Sequence, residues 1–136
     1  MKDDRERKAT GRKGEDIACM FLMDNGHTIL ERNWRSGHLE IDIISYDNDG
    51  IHFVEVKTRR PPMQARPQEC VTVTKQKRIA SAAAKFLSQG CRTGKYSSIK
   101  GRIADAECRF DVIAVIFDTD GTKIEYYPEA FFPTFV

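Results

Sequence analysis

Two β-branched runs, 39–46 (LEIDIISY) and 51–58 (IHFVEVKT), flank the tetrapeptide Asp47-Asn48-Asp49-Gly50. A short polar break containing glycine between two such runs is the local signature of an antiparallel hairpin. Because strand side chains alternate faces, the register of this hairpin decides what the rest of the chain must cover. Closure around Asn48-Asp49 pairs Tyr46 with Ile51 and Ile44 with Phe53, and it sets Asp42 across from Glu55. One face then carries Glu40, Asp42, Ile44 and Tyr46 beside Phe53, Glu55 and Lys57. The other carries Ile41, Ile43, Val54 and Val56, which are expected in the core. Closure around Asp49-Gly50 instead brings Asp42 opposite Lys57, and the charges become an ordinary cross-strand ion pair.

In the first register the charges are hard to accommodate without a partner. Two carboxylates directly opposed on a half-covered face repel, and either a cation lies between them or one takes up a proton. A divalent ion such as Mg²⁺ prefers a few carboxylates plus water and phosphate oxygens. A neighbouring lysine, here Lys57, positions or deprotonates the attacking water and stabilises charge developing on a phosphate. That combination is the chemistry of metal-dependent phosphodiester hydrolysis. Against it stands the frequency of Glu and Lys at alternate positions on solvated strand faces.

The remaining pattern places the hairpin in a mixed α/β domain. Residues 13–25 repeat apolar side chains (Ile17, Ala18, Phe21, Leu22) at helical spacing until Asn25-Gly26. A short strand is expected at 28–34 and a loop at 59–70, where three prolines lie. Thr72 or Thr74 is placed to cap a helix running to about Gln89, with Ile79, Ala82, Ala83, Phe86 and Leu87 inward. Strands follow at 110–117 and 123–127, around a turn at 118–121. The order is α-β-β-β-α-β-β, a central mixed β-sheet of about five strands flanked by two main helices. At 136 residues the chain suffices for one domain that buries about two-thirds of its unfolded surface. Residues 1–12 are expected to be a flexible basic tip, 13–136 the domain, and 90–106 a flexible insertion.

Other function classes find less support. No apolar run approaches the ~20 residues that span a bilayer, and no signal-peptide core follows the charged start, so a cytoplasmic location is expected. Cys19, Cys70, Cys91 and Cys108 form no close pair, which disfavours zinc and reads as free thiols in a reducing compartment. His27, His38 and His52 show no ligand spacing and are expected as surface or turn residues. Trp34 is expected in the core.

Five blocks in order, GRKGEDIACMFLMDNGHTILERNWR, LEIDII, FVEVKTR, TKQKR and RFDVIAV, resemble the YraN family of small, largely uncharacterised bacterial proteins. Asp42 followed in the next strand by Glu55-Val56-Lys57 is also similar to the PD-(D/E)XK nuclease signature, although Ile41 stands where that name has proline. Leu39 stands at the rim of the implied site, where many relatives have glycine. The resemblance implies a restriction-endonuclease-like core akin to archaeal Holliday junction resolvases. It implies Asp42 and Glu55 as metal ligands, Lys57 as the catalytic lysine, and Glu15 as an acidic residue near a Mg²⁺ or Mn²⁺ ion. Gln76 matches the polar residue carried on the helix after the lysine strand. Glu15 shares a helix face with Ala18 and Leu22, and Gln76 one with Ile79 and Ala83; each also suits an ordinary position in a first helical turn.

A net charge of +2 does not establish a nucleic-acid partner, but the basic residues are gathered. Arg12, Lys13, Arg32, Arg35, Arg59, Arg60, Lys75, Lys77 and Arg78 fall near the ends of elements that rim the carboxylates. Such a rim suits phosphate contacts, with DNA as the partner, and no groove-reading motif is present. The leading expectation is a nuclease, endo- or exonucleolytic, acting on DNA and by resemblance on branched or junction DNA. Two-strand cleavage of a junction would require a two-fold homodimer. A non-catalytic nucleic-acid-binding module and a plain surface ion pair are the competing readings.

Overall fold

The computed structural model describes residues 4–61, 71–89, 94–96 and 98–131. Helix α1 (Asp4–Asp24) begins well ahead of the apolar stripe that starts near Ile17. Its first turns hold good helix formers, with Asp4 and Glu6 against the positive end of the dipole, so helix extends back through the basic stretch expected as a loose tip. The helix stops in a Schellman arrangement. His27 N–H donates to the Leu22 carbonyl at 2.9 Å and Gly26 N–H to that of Met23 at 3.1 Å, with Gly26 at φ 89°.

Strands β1 (Thr28–Ser36), β2 (Leu39–Asp47) and β3 (Gly50–Arg59) form an antiparallel meander. Helix α2 (Val73–Ser88) is capped by Thr72, whose side chain accepts from Lys75 N–H. A 3₁₀ turn at Gly94–Tyr96 and helix α3 (Lys100–Asp105) lead to β4 (Cys108–Asp118) and β5 (Gly121–Tyr127). The sheet order is β1-β2-β3-β4-β5; β4 lies parallel to β3 and every other pair is antiparallel. The expected order of elements is found, with the short helices added where a flexible insertion was expected. There Tyr96 and Ile103 are buried beneath α2, while 90–93 and 97 lie outside the described residues, as does the proline loop from 62 to 70.

The sheet separates two apolar layers. Under α1 lie Ala18, Cys19, Leu22, Ile43, Val54, Ile113 and Val115. Under α2 lie Ile44, Phe53, Phe110 and Val112 with Ile79, Ala83 and Phe86. Trp34 packs edge-on to Phe86 in this second layer. Gly14 allows α1 its close approach to β3, since a Cβ there would stand 2.3 Å from Thr58 Oγ1.

The hairpin closes in the first of the two registers, with Asp47↔Gly50, Tyr46↔Ile51, Ile44↔Phe53 and Ile43↔Val54. The expected faces nevertheless need a correction. Ile41 joins Ile44 in the layer under α2 instead of sharing the α1 side with Ile43. The alternation therefore breaks at Asp42, and the β2–β3 pairing ends at Ile43↔Val54, one position before Asp42. In β1, Asn33 lies between Arg32↔Ile43 and Trp34↔Ile41 and takes φ 51°, the left-handed conformation that asparagine tolerates. The two strands twist together here, and β2 leaves β3 at Asp42.

Candidate functional site

Where the strands part, Asp42 takes over a bond the ladder would have made: Val56 N–H donates to its Oδ2 at 2.8 Å. The next residue on β3 away from Val56 is Glu55, which is 6% exposed and paired in register with Val112 on the α2 side. Glu55 Oε1 receives two ammonium groups, Lys57 Nζ at 3.3 Å and Lys75 Nζ at 3.2 Å. Lys75 comes from the first turn of α2, which Thr72 holds in place. The structure thus puts Lys75 on the carboxylate itself, closer than the rim position expected of it.

Electrostatically the two carboxylates are unequal. Burial, and next the neighbouring Glu55, push Asp42 up to about 8. The Val56 N–H bond pulls the other way, Glu15 pushes further up, and Lys75 lowers it. Half-buried Glu15 on α1 and Lys75 on α2 therefore both act on Asp42, which sits between the two helices. Two lysines answer Glu55, whereas Asp42 has a backbone N–H and no cation within ion-pairing distance among the described residues.

Such oxygen donors suit a hard divalent ion, and a positive charge between them would remove the repulsion that raises Asp42. Asp42 and Glu55 are the carboxylates here that could hold it. Glu15 acts on Asp42 through space, but among the described residues Glu15, Asp42 and Glu55 do not bring three ligand atoms within 4.8 Å of one another.

The other expected site residues fall in several places. Gln76 Nε2 donates to the Val71 carbonyl at 3.0 Å, so its side chain is engaged at the start of α2. Lys13 and Arg60 both lie over the Phe117 ring, at 5.4 and 5.5 Å from its centre, joining the α1 and β3 parts of the basic rim. Arg12 and Arg78 are exposed, and Arg59 donates to the carbonyl of Thr58. Arg35 pairs with Glu40 at 3.6 Å and Arg32 with Asp16 at 2.6 Å, so both are partly neutralised.

A second polar cluster lies at the turn end of the hairpin, on the α1 side, and it corrects the expectation for two histidines. His27 and His52 are 9% and 3% exposed, and their ring centres are 4.5 Å apart. His52 Nδ1–H donates to Asp111 Oδ2 at 2.6 Å and Nε2–H to Asp47 Oδ1 at 2.8 Å. Asp111, fully buried, also receives Tyr126 O–H at 2.6 Å and Glu129 N–H at 2.9 Å. Burial opposes the charge on His52, but its bonds to Asp111 and Asp47 prevail and raise its pKa. His27 moves the other way, lowered by burial and then by His52. The signal that foretells this cluster is Asp111 itself, a lone carboxylate in the apolar run RFDVIAV that must find partners once buried.

A model of uncharacterised protein family UPF0102 matches residues 14–115. A UPF0102 protein of Bacteroides thetaiotaomicron is 36% identical over 128 residues, covering 94% of this chain and 96% of that protein. One from Geobacter metallireducens is 41% identical over 124 residues, covering 91% and 93%. Another, from Oleidesulfovibrio alaskensis, is 43% identical over 107 residues, 79% of this chain and 48% of its own length. The chain thus spans about half of that last relative and nearly the whole of the other two. Among solved structures, Pyrococcus furiosus SfsA in complex with Ca²⁺ is similar over 90% of this chain and 63% of that one. At 16% identity and a TM-score of 0.37 this likeness carries no weight for function.

Proposed function

The chain belongs to the uncharacterised family UPF0102, and we propose that it is a divalent-metal-dependent nuclease cleaving DNA phosphodiester bonds. The observation that carries the reading is Asp42, lifted to about 8 beside Glu55, with Lys57 3.3 Å from that same glutamate. A buried carboxylate held at this disadvantage is a functional-site signal when a specific charge partner causes part of the shift.

In this reading Asp42 and Glu55 hold Mg²⁺ or Mn²⁺, and Glu15 adds negative charge from α1. The ion, when bound, supplies Lewis-acid polarisation of the phosphate and an activated water. Lys57 directs its N–H donors at the phosphate oxygen on which charge builds, and Lys75 adds a second ammonium at the pocket. Lys13, Arg60, Arg12 and Arg78 on the rim hold flanking phosphates without reading bases. Gln76 belongs to the site as a support for the first turn of α2, which carries Lys75. A restriction-endonuclease-like ancestry and a preference for branched DNA belong to this proposal, as does a two-fold dimer for paired cuts.

The test is cleavage of linear, nicked, single-stranded and four-way-junction DNA with Mg²⁺ or Mn²⁺, by wild type and by Lys57→Ala. Metal-dependent product from the wild type, absent with chelator and reduced in the variant, is expected. Equal cleavage by the two proteins would remove Lys57 from the mechanism, and salt-sensitive DNA binding without cleavage of any substrate would leave only a binding module.

A further inference from the structure

The cluster at the turn end of the hairpin differs chemically from the proposed catalytic pocket, because its donors include nitrogen. His27 Nε2 lies 3.3 Å from Asp47 Oδ2 and His52 Nε2 lies 2.8 Å from Asp47 Oδ1. One donor atom from each of the three side chains falls within 4.8 Å of the others. Tetrahedral coordination with bonds of ~2.0–2.2 Å sets donors roughly 3.3–3.6 Å apart, so side-chain shifts of at most about 1.5 Å close this set on one ion.

What surrounds the donors is equally specific. A metal-binding imidazole usually donates its remote N–H to a carboxylate or other acceptor, which fixes its tautomer and aim. His52 Nδ1 is held in this way by Asp111, itself locked by Tyr126 and Glu129. His27 Nδ1 lies 2.9 Å from Ser45 Oγ, which accepts that proton when Nε2 is the ligand. The backbone of His27 is fixed by the α1 terminus, and Asp47 and His52 flank the tight β-turn. A pocket of about 350 Å³, lined in part by Phe21, Asn25, Arg109, Tyr126 and Glu129, opens beside all three donors.

We propose that His27, Asp47 and His52 form a binding site for a borderline transition-metal ion of the Zn²⁺ class, its fourth position facing this pocket. Binding replaces the proton on His52 Nε2, which now bridges to Asp47, and fixes His27 in the tautomer whose Nδ1–H donates to Ser45. Two imidazoles and one carboxylate favour Zn²⁺ over Mg²⁺, and three protein ligands leave one position for water or substrate. The site stands independently of the proposed nuclease chemistry.

The experiment uses the full chain carrying Asp42→Asn and Glu55→Gln, which removes the oxygen-donor pair, titrated with Zn²⁺ and with Co²⁺ near pH 7.5. One equivalent of Zn²⁺ is expected, together with visible Co²⁺ bands of tetrahedral intensity. Adding His27→Gln should abolish the bands and weaken Zn²⁺ binding at least ~10–100-fold, the range seen even for residues that only support ligands. Absence of binding, or unchanged binding in the His27 variant, overturns the proposal. Should that variant fail to fold, Zn-edge anomalous scattering from wild-type crystals decides it: a peak bonded to both Nε2 atoms supports the site, and none refutes it. DNA cleavage is not read in any arm, so failure here is distinct from failure of the nuclease assignment.

Discussion

The β2–β3 hairpin carries polar clusters at both ends, and they differ in how their charges are answered. At the turn end both carboxylates of the cluster have close partners: His52, Tyr126 and the Glu129 N–H on Asp111, and two imidazoles on Asp47. At the open end Glu55 has two lysines, but Asp42 has a neighbouring carboxylate and one backbone N–H. The first cluster is stable as it stands and offers mixed nitrogen and oxygen donors. The second is strained by like charge and offers oxygen alone. A single hairpin thus presents a borderline and a hard donor set, and the hard one is where a cation relieves the most repulsion.

The largest expected effect breaks the satisfied end. Asp111→Asn leaves a buried imidazolium short of its carboxylate and should destabilise the fold by about 3–5 kcal/mol, read by urea unfolding. A loss below 1 kcal/mol would show that the cluster is not a coupled network. At the open end, Lys57→Ala should slow metal-dependent cleavage ~100-fold or more, about 2.7 kcal/mol in barrier, with far less effect on stability. Initial rates with saturating Mn²⁺ measure this.

The contact that brings α1 and Glu15 against the open end comes next. Gly14→Ala should cost about 1–3 kcal/mol because the new methyl meets Thr58. Gly11→Ala on the same helix meets open space and should be neutral or mildly stabilising. Thermal or urea unfolding of the pair tests whether the close approach matters.

Similar in size and opposite in sign is Asp42→Asn, which in metal-free buffer should stabilise the fold near neutral pH by about 1–3 kcal/mol. Asp42 is raised from 3.8 to about 8 in the folded state. The folded protein therefore keeps a proton that the unfolded chain releases, and stability falls as pH rises from about 4 to about 8. The asparagine variant should lose this slope, and Mn²⁺ should stabilise wild type but not the variant. His52 adds a weaker trend of the same direction: its raised pKa contributes stability below 6.5 that is lost as pH climbs through the folded value. Urea midpoints between pH 5 and 9, with His52→Gln as the flatter comparison, separate the two.

The legible features were those set by local pattern. The hairpin followed from the polar turn, with the structure choosing closure around Asn48-Asp49 over Asp49-Gly50, and the α2 cap from the threonines at its start, of which Thr72 serves. The flip at Asp42 was not legible, because it depends on a left-handed Asn33 in a neighbouring strand and on two strands twisting together. The histidine cluster was hidden by distance along the chain: His52 and Asp111 are 59 residues apart and meet only because β4 runs parallel to β3. Lys75 was legible as a basic residue, but its place on Glu55 required knowing how α2 lands on the sheet. Residues 94–106 were hard to read because the buried side chains described there, Tyr96 and Ile103, sit in short helices without periodicity.

The claim that a hard cation belongs between Asp42 and Glu55 is tested most directly by anomalous scattering from crystals soaked in Mn²⁺. The account predicts a peak coordinated by both carboxylates, lost in Asp42→Asn crystals. A peak at the His27–Asp47–His52 cluster alone, with none at Asp42, would contradict it.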